Sequence, residues 1–242
     1  MEINPNSSDP LYIQIKNYLH QQIRSAVFPG GSKLPSERDL SLDLGVSRMT
    51  VRQALQELVK EDAIYSRAGM GYYVRQPKID QELGVLTSFS EEMLQRGLMP
   101  TSRVIFADLQ LATTEIVEPL RVSLGAEVVV LRRVRLAENS PIALENAFIA
   151  HELCPGILQG HDFRQESLYK ILREEYNCPL TWAKQWVQAR LPTASEQKLL
   201  DVNSQTPVLS ITRITYTRDD RPVEFAKSIY LSDRYKLTVI LR

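Results

Sequence analysis

The stretch Ser47-Arg48-Met49-Thr50-Val51-Arg52-Gln53-Ala54-Leu55 has two faces with different demands. Read as a helix, it puts Val51, Ala54, Leu55, Leu58 and Val59 at i, i+3, i+4, i+7 and i+8, an apolar stripe that needs burial. The opposite side carries Arg48, Met49, Arg52, Gln53 and Gln56. Arg48 and Arg52 are one turn apart, so two guanidinium forks point the same way. Forks beside amide side chains suit guanine and adenine edges or phosphates, and they also suit an ordinary solvated helix face. The flanking residues decide between the two.

Upstream, Leu11, Ile15, Leu19, Ile23 and Ala26 keep a helical period behind Pro10, and Pro29-Gly30-Gly31 ends it. Ser36-Glu37-Arg38-Asp39 reads as a capping-box start for a second helix, with Leu40 and Leu44 inward and Gly45 at its end. Ser47 caps the third helix, the arginine-faced one. Two short helices around a glycine turn make a helix-turn-helix. Ile64-Tyr65-Ser66-Arg67 and Tyr72-Tyr73-Val74-Arg75 then flank Ala68-Gly69-Met70-Gly71, a hairpin that reads as a wing.

Pro10-Leu11-Tyr12-x-Gln14-Ile15, Leu34-Pro35-Ser36-Glu37-Arg38-x-Leu40, Val46-Ser47-Arg48-x-Thr50-Val51-Arg52-Gln53-Ala54-Leu55 and Gly69-x-Gly71 closely resemble the DNA-binding domain of GntR-family bacterial transcription regulators. The resemblance spans nearly all of residues 10–75. It implies that Arg38, Arg48 and Arg52 contact DNA, that Ser47 and Thr50 position phosphates, and that Gly69 reaches the minor groove. Ala63 and Tyr72 depart from the family pattern, which usually has Gly and Thr there.

Gln76 to Gly84 is polar and interrupted by Pro77, so residues 77–84 read as a connector between a domain at 1–76 and a second at 85–242. The second domain alternates strands and helices. Strands are expected at Val104–Leu111, Glu127–Ala137, Ile142–Ile149, Leu180–Leu191, Val208–Arg218, Pro222–Leu231 and Tyr235–Leu241. Helices are expected at Phe89–Arg96, Thr114–Leu120, Glu166–Tyr176 and Ala194–Val202. Hairpin-linked strands with inserted helices give a mostly antiparallel α+β fold. Leu86-Thr87-Ser88-Phe89, Arg132-Arg133-Val134-Arg135, Leu144-Glu145, Ser167-Leu168-Tyr169, Pro207-Val208-Leu209, Pro222-Val223-Glu224-Phe225-Ala226 and Asp233-Arg234-Tyr235 resemble, in this order, the UTRA effector-binding domain of HutC-type GntR regulators. That resemblance covers about residues 85–241 and implies a chorismate-lyase-like fold with an effector site in place of catalysis.

Arg133 and Arg135 lie two apart on a strand and share one face, with Arg132 on the other. Inward arginines need acids or a ligand anion, and Glu145 and Glu224 are the natural partners. Either an internal salt-bridge network or an anion clamp answers that need, and the resemblance favours the clamp. Ser88, Phe89 and Ser90 offer hydroxyls and backbone N–H groups at a helix start, although Ser88 and Glu91 also make a capping box. Ser167, Tyr169 and Tyr230 add hydroxyls and a stacking face.

Composition narrows the rest. Lys+Arg and Asp+Glu number 29 each, and residues 1–75 hold nine basic against eight acidic side chains, a net +1, so any attraction to DNA comes from placement. Cys154 and Cys178, without a secretory leader, point to a reducing cytoplasm, and no apolar run approaches a membrane span. His20, His151 and His161 are scattered, and His151-x-x-Cys154 lacks a second paired motif, so no metal or cofactor is expected. No Gly-x-Ser-x-Gly elbow or phosphate-binding loop is present. The expectation is a homodimeric, cytoplasmic repressor of double-stranded operator DNA, released by a small anionic effector such as a phosphorylated sugar or amino sugar. The rival expectations are a lyase-like enzyme using Arg133, Arg135 and Glu145, and an architectural DNA-binding dimer without an effector.

Overall fold

The computed structural model describes residue 4 and residues 7–67, 69–75 and 78–241. It divides into two compact units, Met1–Pro77 and Lys78–Arg242. No helix among the described residues is long and apolar enough to cross a membrane.

In the first unit, helices α1 (Leu11–Arg24), α2 (Glu37–Leu44) and α3 (Arg48–Lys60) precede strands β1 (Ile64–Arg67) and β2 (Gly71–Val74). α1 stops at Arg24, short of Ala26, because Ala26 takes φ +58° and turns the chain. The Ser36 hydroxyl accepts from Asp39 N at 3.2 Å and Asp39 Oδ2 accepts from Ser36 N at 3.4 Å, the reciprocal cap that starts α2. Gly45 ends it at φ +65°, a conformation that side chains resist. Ser47 then caps α3 by accepting from Thr50 N at 3.1 Å. The apolar stripe of α3 packs as its spacing requires: Val51, Ala54, Leu55 and Leu58 join Ile15, Leu19, Leu34, Leu40, Ile64 and Val74 in one core. β1 and β2 pair from Ile64↔Val74 to Arg67↔Gly71, which puts Gly69 at the hairpin tip.

The second unit is built on a six-stranded antiparallel sheet in the order β4-β5-β6-β9-β8-β7. Its strands are β4 (Pro100–Leu111), β5 (Glu127–Ala137), β6 (Ser140–Ala150), β7 (Trp182–Arg190), β8 (Val208–Tyr216) and β9 (Pro222–Leu231). Two similar halves make it: an edge strand, a short helix and a hairpin, with helices α5 (Thr114–Leu120) and α8 (Ala194–Leu200) in matching places. Both helices are released by a residue in the left-handed region, Arg121 at φ +51° and Asp201 at φ +54°. β5 is buried on both faces, which is why Val128-Val129-Val130-Leu131 is continuously apolar. Val128, Val130 and Phe148 pack with Ile116 and Leu120 of α5. Val129, Leu131 and Ile149 point the other way, into a core with Leu168, Tyr169, Ile171 and Leu172 of α7 (Leu168–Glu174). α6 (Ile157–Gly160) and a short 3₁₀ turn at His151–Leu153 close that side.

The connector read at 77–84 is corrected in part: Ile79–Glu82 forms strand β3, paired in parallel with β10 (Tyr235–Thr238). Its Ile79 and Gln81 are buried while Asp80 and Glu82 are more exposed, so β3 is half-buried structure despite its polar sequence. Gln76 and Pro77 lie outside the described residues, as does Ala68 of the wing. The last strand is shorter than Tyr235–Leu241 and stands apart from the main sheet. α4 (Phe89–Gln95) follows β3, with Gly97 at φ +70° after it.

Candidate functional site

The residues singled out in the sequence fall into two groups, one on each unit. On the first, Arg38, Ser47, Arg48, Arg52 and Gly69 are exposed, and Thr50 is half-buried beneath its own helix start. The Ser47 and Thr50 side-chain oxygens lie 2.8 Å apart at the N-terminus of α3. Arg48, Met49, Arg52, Gln53 and Gln56 stay on the solvent side, with Met49 68% exposed, so nothing in the apolar core claims them. Arg52 is nevertheless held: its Nε donates to Glu37 Oε1 at 3.0 Å and its Nη2 to Oε2 at 2.7 Å. Arg48 Nη2 stands 3.9 Å from the same carboxylate. Hydrogen bonding from Arg52 holds Glu37 below its ordinary carboxylate pKa. The two arginines therefore differ: Arg52 is hydrogen-bonded to Glu37 of α2, while the more exposed Arg48 reaches the same carboxylate only as a looser ion pair.

On the second unit, Ser88, Phe89, Arg133, Arg135, Glu145, Ser167, Tyr169, Glu224 and Tyr230 line one cavity between the sheet and α4 and α7. Ser90 joins it by accepting from Arg135 Nη2 at 3.1 Å. β5 delivers both arginines because residues two apart share a face; they are 2% and 3% exposed. Arg133 donates to Glu145, its direct cross-strand neighbour, and Arg135 Nη1 is 3.8 Å from the same oxygen. Arg135 also lies over the Phe89 ring, 4.5 Å from its centroid.

Glu224 does not pair with these arginines as the sequence suggested. Its Oε2 accepts from the Tyr169 hydroxyl at 2.7 Å and from Thr215 at 3.2 Å. The reason is register: Thr215 is the cross-strand neighbour of Glu224, and the helix carrying Tyr169 sits over them. Ser88 spends its hydroxyl on Glu91 N at 3.1 Å, and Glu91 accepts from Ser88 N at 2.9 Å, so the capping box is present as well. Arg173 also binds Glu91. Ser167 caps α7, its hydroxyl 3.4 Å from that of Ser88.

One carboxylate is thus asked to serve two buried cations. Burial pushes the Glu145 pKa up, but Arg133 and Arg135 outweigh it and hold it below the usual range. Burial, and then Arg133, depress the Arg135 pKa to about 10. Glu224 moves upward, from burial and from repulsion by Glu145. Donors remain over: Arg133 Nη1 and Arg135 Nε and Nη1 are buried without a hydrogen-bond partner. Leaving charged donors unmatched is costly, and an anion entering the cavity would remove that cost. A roomier hollow of about 650 Å³ around Trp186 and Tyr216, on the α5 side, offers none of these unmatched donors.

Arg213 and Gln81, which line the same cavity, were not singled out in the sequence, and Glu92, a first-turn carboxylate that would repel a phosphate unless it pointed outward, is buried in the lining as well. Arg213 was legible: it occupies on β8 the place that Arg133 has on β5, visible once the two halves are aligned. It donates to Gln185 Oε1 at 2.7 Å from Nε. Cys154 and Cys178 are free and buried, with burial pushing the Cys154 thiol up to about 12, an inert arrangement. No cluster of three or more metal-ligating side chains occurs among the described residues.

Comparison with known proteins agrees with both units. The family described as "Bacterial regulatory proteins, gntR family" matches residues 11–74, and "UTRA domain" matches residues 95–236. The HTH-type transcriptional repressor NagR of Bacillus subtilis (strain 168) is 38% identical over 235 residues, covering 97% of this chain and 96% of that protein. The mannosyl-D-glycerate transport/metabolism system repressor MngR of Escherichia coli (strain K12) is 29% identical, covering 96% and 95%. The crystal structure of PhnF from Mycobacterium smegmatis superposes with a TM-score of 0.69 at 28% identity, over 94% of this chain and 99% of that one. The chain therefore belongs to the gntR family of bacterial regulatory proteins, DNA-binding transcription regulators, with a UTRA domain as its second unit.

Proposed function

We propose that this regulator is a repressor that a small anionic effector releases from its operator, and that the effector is a phosphorylated sugar or amino sugar. The observation that carries this reading is the set of unmatched guanidinium N–H groups of Arg133 and Arg135 in a cavity that also offers sugar-reading hydroxyls and carboxylates. Glu145 supplies one negative charge between two arginines, which leaves room for an anion. In this reading Ser88, Phe89, Ser90, Ser167, Tyr169, Glu224 and Tyr230 complete the effector site. The name of the relative MngR refers to mannosyl-D-glycerate, a sugar joined to a carboxylate, in keeping with an anionic sugar ligand.

In the same reading Arg38, Arg48 and Arg52 contact the operator, Ser47 and Thr50 set the phosphate register, and Gly69 carries the wing tip to the minor groove. The chain works as a cytoplasmic homodimer, each copy reading one half-site, with centres roughly one helical turn, about 10 bp, apart. The bulk charge of the chain gives little nonspecific attraction, so pairing two copies makes up the affinity. Releasing DNA a hundredfold takes about 2.7 kcal/mol of coupling, within the usual range.

A thermal-shift screen of the full chain against sugar phosphates, carboxylic acids and amines tests the reading. A rise in melting temperature confined to anionic sugars, and lost in Arg135→Met, is the expected result. A response to amines alone, or to no anion, would sink it.

A further inference from the structure

Gln81 stands on β3, the strand that follows the end of the first unit, and its side chain lines the cavity holding Arg133 and Arg135. It is 5% exposed, and its Oε1 has no hydrogen-bond partner. Beside it in the lining is Glu92 of α4, 3% exposed. Glu92 Oε2 accepts from the Tyr235 hydroxyl at 2.8 Å, while Oε1 accepts no hydrogen bond and has Arg96 Nη2 at 3.4 Å. Buried acceptors left without donors are as unfavourable as donors left without acceptors. The cavity therefore has two unmet needs, donors on the arginines and the acceptor on Gln81, whereas Glu92 Oε1 has the Arg96 guanidinium beside it. A single ligand that carries an anion together with N–H or O–H groups satisfies both.

Space adds a second argument. The free volume is about 40 Å³, whereas pockets for small molecules run to roughly 300–1,000 Å³, so a wall must yield to admit a sugar phosphate. On one side stand β5, β6, β9 and β8, each bonded to a strand on both flanks. On the other stand the seven-residue helices α4 and α7 and strand β3 of a two-stranded sheet. These smaller elements have fewer strand-to-strand bonds to give up than the inner strands of the sheet.

We propose that Gln81 is a ligand-contacting residue: it accepts a hydrogen bond from an N–H or O–H of the ligand that Arg133 and Arg135 hold by its anion, and through β3 it passes occupancy to the chain that leaves the first unit. This rests on the reading of the cavity as the effector site. Gln81 is the contact best placed for that relay, because its own strand starts just beyond the boundary of the DNA-binding unit.

Calorimetric titration of the full chain with glucosamine 6-phosphate and with inorganic phosphate tests it. The first offers an anion and sugar donors; the second offers the anion alone. Gln81→Leu removes the acceptor at similar size, with Gln81→Met as a second variant should the first fold poorly. The affinity for glucosamine 6-phosphate is expected to fall about tenfold, the loss of one hydrogen bond to a buried acceptor, with inorganic phosphate changed less than about twofold. At saturating glucosamine 6-phosphate the wild type leaves the DNA upstream of its own gene, and Gln81→Leu stays bound. If Arg135→Met loses the ligand but Gln81→Leu binds it unchanged, the Gln81 contact is overturned and the effector cavity stands. If Gln81→Leu binds weakly yet still releases DNA at saturation, the relay is overturned. If the wild type binds neither probe, or Arg135→Met binds as well as the wild type, the cavity reading and this inference fall together.

Discussion

Arg52 of α3 donates to both carboxylate oxygens of Glu37 on α2, from Nε at 3.0 Å and from Nη2 at 2.7 Å. This pair ties the arginine-bearing face of one helix to the start of the other. It also sets a negative charge beside the arginines proposed to contact DNA, which lowers attraction to any duplex while it fixes the direction of one fork.

Glu37→Gln is therefore expected to raise affinity for nonspecific duplex DNA several-fold at low salt while narrowing the gap between specific and nonspecific binding. Competition gel shifts at two salt concentrations measure both. Because Arg52 holds the Glu37 pKa below the ordinary carboxylate value, the pair is intact above that value and is lost only as pH falls below it. Discrimination by the wild type should stay flat between about pH 8 and pH 5, given an unperturbed Glu near 4.3. An unchanged specificity ratio in Glu37→Gln would contradict the orienting role.

Gly45 sits at φ +65° with open space where a Cβ would be. Gly45→Ala should cost about 1–2 kcal/mol from backbone conformation alone, and Gly45→Asn less, since Asn tolerates the left-handed region. Urea denaturation followed on the first unit decides it. Equal losses for the two variants would mean that contact, and not conformation, selects glycine there.

Arg135 is 3% exposed, has two unmatched nitrogens and shares Glu145 with Arg133. Arg135→Met should leave the ligand-free protein as stable or more stable, by about 1–4 kcal/mol, because a crowded buried cation becomes an apolar side chain of similar length. Binding of anions should be lost. Calorimetry with and without a sugar phosphate separates the two effects, and a destabilised variant would mean that the arginine is held by structure and does not await a ligand.

The Glu224 carboxyl is pushed up by burial and by Glu145. A carboxyl with a raised folded pKa gives its full stabilisation below the unfolded pKa and loses it as pH rises through the folded one. Glu224→Gln removes that dependence and can still accept from Tyr169 and Thr215. It should therefore gain melting temperature relative to wild type at pH 8 and not at pH 4. A gain that is the same at both values would contradict the assignment.

The winged helix-turn-helix was legible because its signals are local: Ser36, Ser47 and Gly45 each specify their own turn, and the stripe on α3 specifies its burial. The same holds for β5, β9 and α5, whose boundaries follow directly from their apolar periods. β3 was not legible, since Ile79-Asp80-Gln81-Glu82 is polar by composition and becomes a strand through pairing with Tyr235–Thr238, more than 150 residues away. The partner of Glu224 was missed for a related reason: cross-strand register, which a single strand does not reveal, puts Thr215 opposite it. Arg133 and Arg135 were found by alternation on one strand. Arg213 needed the likeness between the two halves of the sheet.

The central claim is that a ligand in the second unit governs DNA binding by the first. It is tested most directly by a gel shift of the full chain on the DNA upstream of its own gene, with and without saturating glucosamine 6-phosphate, beside Arg48→Ala/Arg52→Ala and Arg135→Met. The account predicts a shifted band that the ligand dissolves, no specific band for the double variant, and a band that the ligand leaves intact for Arg135→Met. A specific band from the double variant, or a wild-type band that persists whatever anionic sugar is added, would contradict it.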